Sequence, residues 1–247
     1  MDRNGHKMRC ILFNKFCSAK LAIGSKEFFM YKAVIFDLDD TLYDYESIHQ
    51  KAVEKLRALV CKKFAISKAE FDSAFKWAKE QTKKLLKSTG ASHNRMLYCQ
   101  KILERLGKNP VDGAIEMYDC YWNSMLQDMR LRDGTVSLLE RLKIDDVKIA
   151  ICTDLTAHIQ HRKIIKLGLV PYVDALVTSE EAGEEKPGER MYALVFEKLE
   201  RLVPHLKKRD CLFTGDSQEK DVEAPKRFGM NALLFTSMKD LEAYIYG

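Results

Sequence analysis

KAVIFDLDDTLYD, Lys32 to Asp44, is the stretch whose reading decides the fold. Its apolar run from Ala33 to Phe36 lacks helical spacing, which predicts a strand buried in a parallel sheet. The run stops at Asp37, Asp39 and Asp40, followed by Thr41. In open α/β sheets the loops beyond the carboxyl ends of the strands form the ligand crevice, so these side chains stand where chemistry is done. A polar turn is the plainer reading, because turns favour Asp. Three acids in four positions repel one another unless a cation or a shared proton holds them, which makes a site the stronger reading.

The 247 residues around this stretch can bury a substantial core, enough for one α/β domain with an insertion or for two small domains. Hydrophobic residues at 46% and charged residues at 31%, with 5 prolines and 12 glycines, describe a globular chain rather than a disordered one. No apolar run reaches membrane-spanning length. The net charge of +5 lies mostly in residues 1–30, where six Lys or Arg face Asp2 and Glu27. A surplus of four there leaves a single positive charge for the rest, so neither a nucleic-acid groove nor a membrane-binding surface is expected. Seven widely spread cysteines without paired metal-ligand spacing indicate a reducing, cytoplasmic setting. Residues 1–30 read as an added or loosely ordered extension before a natural start at Met30, with an organelle-targeting peptide as the alternative.

Downstream, residues 46–130 read as four helices with no strand, over 48–63, 68–87, 94–106 and 111–126. In the last, Val111, Ala114, Ile115, Tyr118, Trp122, Met125 and Leu126 are expected to form one apolar face. The aromatic residues Phe71, Phe75, Trp77, Tyr118, Tyr121 and Trp122 read as bundle core. From Asp133 the pattern becomes an alternation. A helix through Leu138, Leu139 and Leu142 precedes a strand Val147 to Cys152, a helix over 156–167 and a strand Ala175 to Thr178. A helix over 189–202, a strand Cys211 to Thr214, a helix over 219–228 and a strand Ala232 to Phe235 follow. Strands joined by helical crossovers pair in parallel, so the expected fold is α/β: a doubly wound parallel sheet with an inserted helical domain. Its parts are an α/β core of 31–45 and 131–247 and a four-helix cap of 46–130.

Each expected strand ends in a polar group: Asp37 and Asp39, then Thr153 and Asp154, then Gly215-Asp216-Ser217 with Asp221 beyond. Lys186-Pro187 follows an acidic, glycine-containing loop. Carboxylates, a hydroxyl and an ammonium in one crevice suit a hard divalent cation, Mg²⁺, with an anionic substrate. The histidines show no pairing for a metal or a nucleophile relay, and Ser217 lacks a nucleophile-elbow context.

With these four strand-end motifs in order, DLDDT at 37–41, Thr153, Lys186 before Pro187 and GDSQEKD at 215–221, residues 31 to 240 resemble the haloacid dehalogenase superfamily. The likeness is to the group with a helical cap inserted after the first strand, and most to its phosphatases. The resemblance implies that Asp37 attacks phosphorus and that Asp39 serves as general acid, then base. It implies that Thr153, Lys186 and the backbone amides of Leu38, Asp39 and Asp154 hold the phosphoryl oxygens. Mg²⁺ would rest on Asp37, the Asp39 carbonyl and Asp216, supported from behind by Asp221 and Thr41. Asp154 stands where an Asn is common in the family. The implied substrate is a small phosphorylated metabolite: a sugar phosphate, nucleoside monophosphate or phosphoglycolate. Alternatives within the fold are a phosphosugar mutase and a 2-haloacid dehalogenase, the latter disfavoured because halide needs no proton from Asp39. A non-catalytic phosphate-binding protein is a third class, and oligomeric state is not legible.

Overall fold

A computed structural model of the chain describes residues 31–247. Both readings of residues 1–30 lie outside the described residues. β1 (Ala33–Phe36) is flanked on one side by β2 (Lys148–Thr153) and β3 (Ala175–Thr178), and on the other by β4 (Cys211–Gly215) and β5 (Asn231–Leu234). Every pairing is parallel, and Val34 faces Ile149 on one neighbour and Leu212 on the other. The central position explains the unbroken apolar run, since a strand covered on both faces has no solvent side. All four β1 residues are fully buried.

Alternation along β1 divides the interior. Val34 and Phe36 point to the layer of α5 (Thr135–Ile144) and α10 (Met238–Tyr246), with Leu138, Leu142 and Leu241. Ala33 and Ile35 point to the layer of α8 (Glu189–Leu202), where Met191, Val195 and Leu199 lie buried. The chain winds outward from β1 to β3 and then crosses back to β4. The order thus reverses beside β1, which opens a crevice at its carboxyl end.

Four helices leave from that end. They are α1 (Tyr45–Phe64), α2 (Lys68–Leu86), α3 (Arg95–Arg105) and α4 (Ala114–Asp128), called the cap below. Their starts are written in local chemistry: the Asp44 side chain accepts from the Ser47 N–H, Ser67 and Glu70 form a reciprocal capping box, and the Asn94 side chain accepts from the Met96 N–H. A single 3₁₀ turn, Gly90–His93, joins α2 to α3. Among the described residues no helix is long and apolar enough to cross a membrane.

The structure corrects the apolar face expected for 111–126. Val111 and Ile115 are 80% and 65% exposed, whereas Ala114, Met117, Tyr121, Trp122 and Met125 are buried. Gly113, with φ 100, starts the helix at Ala114, so Val111 lies in the preceding turn. Ile115 then falls at the side of the seam set by Ala114, Met117, Tyr121 and Met125. Of the expected aromatic core, Phe71, Tyr121 and Trp122 are buried, while Phe75, Trp77 and Tyr118 pack half-buried at its edge. The remaining differences fall on short helices of the core and on strand ends. α6 (Ala157–Lys166) agrees with expectation, the one-turn α7 (Ser179–Ala182) and α10 are additional, and each strand shifts by at most a residue. The helix expected over 219–228 divides into a π-helical turn, Gln218–Glu223, and α9, Ala224–Phe228.

Candidate active site

The three acids after β1 meet three different partners. Asp37, 6% exposed, continues the β1–β4 ladder through its N–H to the Thr214 carbonyl at 2.9 Å. Its Oδ1 accepts from Lys186 Nζ at 2.7 Å and its Oδ2 from the Thr41 hydroxyl at 3.3 Å. Burial pushes the Asp37 carboxyl up to about 8, reinforced by Asp221 and Asp39 and opposed by Lys186. Asp39 accepts from the Tyr43 hydroxyl at 2.6 Å and, on both oxygens, from Lys163 Nζ at 2.8 Å. Asp40, at φ 60, turns its Oδ1 onto the N–H groups of Tyr45 and Glu46 and so fastens the start of α1. The cations that reconcile Asp37 and Asp39 in this structure are two buried lysines.

Thr153 closes β2 with its hydroxyl buried, accepting from Gln160 Nε2 at 2.8 Å. Asp154 braces two loops: Oδ1 accepts from the Lys186 N–H at 2.9 Å and Oδ2 from Lys220 Nζ at 2.9 Å. The second of these contacts recruits an ammonium, which suits a carboxylate at this position. Lys186, 3% exposed, spans the crevice to both Asp37 and Asp221 at 2.7 Å. Its charge is held firmly, since the two carboxylates raise its pKa against the cost of burial. Leu38 is buried directly between the two acids of the first loop.

The loop after β4 is shaped by a close approach. A Cβ on Gly215 would lie 2.4 Å from Asp221 Cγ, so only glycine lets the π-helical turn fold Asp221 under the strand end. There Asp221 is 1% exposed and accepts from the Ser217 N–H at 3.0 Å. Asp37, Asp216 and Asp221 each present one oxygen, all within 4.8 Å of one another. Such a hard, all-oxygen donor set fits Mg²⁺. Asp216 is the exposed member of the three, and burial together with Asp221 and Asp40 raises its pKa. Asp221 Oδ1 accepts from Lys186 Nζ and its Oδ2 from the Ser217 N–H.

A cavity of about 320 Å³ joins these groups. Asp37, Asp39, Thr153, Lys186 and Asp216 line it together with His93 and Arg95 of the cap. Sequence reasoning missed Lys163 and Arg95. Lys163 carried a legible signal: it follows Ile159 by four residues, on the stripe that buries Ile159, Gln160 and Ile164. Arg95 carried none, as a charged residue between a cap residue and Met96 reads as surface.

A parallel sheet with carboxylates at its central strand end, a lysine reaching across to them and a helical insertion after the first strand define the class as a doubly wound α/β protein with an inserted helical unit over a charged crevice. A family model described as "haloacid dehalogenase-like hydrolase" matches residues 31–229. The chain is 35% identical to a ribulose-1,5-bisphosphate 5-phosphatase of Halopiger xanaduensis, over 87% of this chain and 88% of that protein. It is 28% identical to a glyceraldehyde 3-phosphate phosphatase of Methanocaldococcus jannaschii, over 86% and 89%. The magnesium-bound structure of the putative hydrolase YfnB from Bacillus subtilis shares the fold, with TM-score 0.60, 21% identity and coverage of 82% and 87%. The chain belongs to the haloacid dehalogenase-like hydrolases, among the phosphatases of that family.

Proposed function

We propose that the chain is a Mg²⁺-dependent phosphatase that cleaves a small phosphomonoester of the sugar-phosphate type through an aspartyl-phosphate on Asp37. The observation that carries this reading is the convergence of Asp37, Lys186, Thr153 and Asp216 on one cavity under the cap. The named activities of the relatives, on a pentulose bisphosphate and a triose phosphate, favour a phosphorylated sugar.

In this reading an Asp37 oxygen attacks phosphorus in line, the bond from phosphorus to the ester oxygen breaks, and Asp39 gives that oxygen a proton. Water then attacks the phosphoaspartate, Asp39 takes its proton, and inorganic phosphate leaves with Asp37 restored. For the first step Asp39 has to let go of Lys163, which holds both its oxygens. Lys186 and Thr153, with the backbone amides of Leu38, Asp39 and Asp154, receive the phosphoryl oxygens. Asp37, Asp216 and the Asp39 carbonyl would hold Mg²⁺, with Asp221 and Thr41 fixing the ligands from behind. The bound ion supplies positive charge that orients and neutralises phosphoryl oxygens.

Phosphate release from a panel of small esters, with Mg²⁺ or with chelator, tests the proposal. Turnover is expected only with the metal, and Asp37→Asn is expected to lose roughly a thousandfold or more, as for a deleted nucleophile. Undiminished turnover in Asp37→Asn would overturn the mechanism. Wild-type protein idle on every ester would move the assignment to the mutase, dehalogenase or binding readings of the same fold.

A further inference from the structure

Three cationic side chains are buried among the described residues: Arg95, Lys163 and Lys186. Lys163 is paired with Asp39, and Lys186 with Asp37 and Asp221. Arg95, 8% exposed, enters no ion pair among the described residues. Its guanidinium donates to the His93 carbonyl and the Tyr45 hydroxyl, both at 2.6 Å, and faces the rings of Tyr98, Tyr121 and Trp122 at 5.1, 5.3 and 5.9 Å. Its Nε–H is buried without an acceptor. Aromatic faces soften the burial of a cation but do not replace a counter-charge, and a buried donor left unmet is costly. A group kept in this condition at a cavity wall is suited to a ligand anion.

The surroundings point the same way. Arg95, Tyr45 and His93 line the active-site cavity and also a second cavity of about 220 Å³. Lys79 and Lys83, one helical turn apart on α2, line that second cavity, and Glu46 is its single acid. The transferred phosphoryl group belongs at Asp37, so an anion at Arg95, which lines the same cavity, would be a separate group of the same molecule.

We infer that the substrate carries a second anionic group, a phosphate or a carboxylate, remote from the phosphoryl group that is transferred, and that Arg95 is the residue that selects it. This rests on the phosphatase reading and names the class of ester the site takes. Arg95 acts on binding, through charge-assisted hydrogen bonds to the remote group, and moves no proton.

Two matched pairs of esters test it at constant ionic strength: ribulose 5-phosphate against ribulose 1,5-bisphosphate, and glycerol 3-phosphate against 3-phosphoglycerate. Wild-type kcat/KM is expected to favour the doubly anionic member of at least one pair by roughly ten- to a hundredfold, chiefly through KM. Which pair responds tells phosphate from carboxylate. Arg95→Gln is expected to erase that preference while turnover of the singly anionic member persists, and Arg95→Lys to retain part of it. No preference in either pair, or one that survives in Arg95→Gln, would overturn the inference. Should Arg95→Gln fail to fold by circular dichroism, Lys79→Gln/Lys83→Gln on the α2 surface is expected to weaken the preference severalfold, and an unchanged preference there would count against the subsite. Calorimetric titration of Asp37→Asn with the same four compounds, with and without Arg95→Gln, separates the two readings. A preference in Kd that depends on Arg95 supports the subsite even if no ester is turned over, and its absence overturns it.

Discussion

At the scale of single residues, Asp39 and Lys163 form an unevenly buried pair. The lysine side chain is wholly buried, whereas that of Asp39 keeps 27% of its surface and a second donor in Tyr43. Burial lowers the Lys163 pKa and Asp39 works against that shift. Deleting the carboxylate therefore strands a buried cation, while deleting the lysine leaves an anion that water still reaches. Asp39→Leu is expected to lose about 3–5 kcal/mol of stability, Lys163→Met clearly less, and the double variant to recover much of the first loss. Urea denaturation of the three variants checks the order, and equal losses in both single variants would contradict it. The contrast also marks what the sequence could carry. Asp37, Thr153 and Asp216 are readable because each lies at the end of an apolar strand run, and Lys186 because it stands before Pro187 after an acidic loop; strand ends converge in this class of sheet. Lys163 is marked only by its place on the buried stripe of α6, and its partner Asp39, like the Tyr45 and Tyr121 that meet Arg95, lies far away in the chain, where no local spacing points to it.

At the scale of elements, strands and helices were legible wherever one periodicity ran through a segment. β1 and β3 begin and end where the apolar runs do. α4 was misphased because its flanking apolar residues, Val111 and Ile115, fit a 3.6-residue stripe almost as well as the buried set. Only packing against α1 and α3 distinguishes the two solutions. Met117→Ala is thus expected to cost about 2–5 kcal/mol, as for a fully buried side chain, and Ile115→Ala to stay within about 0.5 kcal/mol. Thermal denaturation of the two variants decides between the phases, and a larger loss at Ile115 would restore the face expected from sequence. α10 was missed because it follows a strand at the chain end without a closing motif, although Ser237 caps it by accepting from the Asp240 N–H.

At the scale of the whole molecule, the cap touches the core at a second place besides its two connections. Gly90 lies so close to α7 that a Cβ there would stand 2.5 Å from the Glu180 nitrogen. Beside it the Glu185 N–H donates to the Ser88 carbonyl, and the Glu185 carboxylate accepts from the Ser92 hydroxyl at 2.7 Å. Glu185 immediately precedes Lys186, so the contact that seats the cap is one peptide away from the crevice lysine. Gly90→Val is expected to keep the sheet folded but force the cap off this seat. Faster hydrogen exchange at 88–93 and 179–186 would report it, together with roughly tenfold or greater loss of turnover for a site that needs its wall in place. Unchanged exchange would show that the contact does not hold the cap down.

The two ends of the cap leave and rejoin the core almost at one point. Tyr43 bridges to Leu131, and Arg132 donates to the carbonyls of Asp40 and Thr41. Both covalent connections of the insertion therefore pass through one clasp, outside the strand order and its ladder. A replacement of different length or sequence would meet the sheet through the same few backbone contacts. Such a chain can exchange its recognition surface in one recombination event while its chemical machinery is inherited untouched.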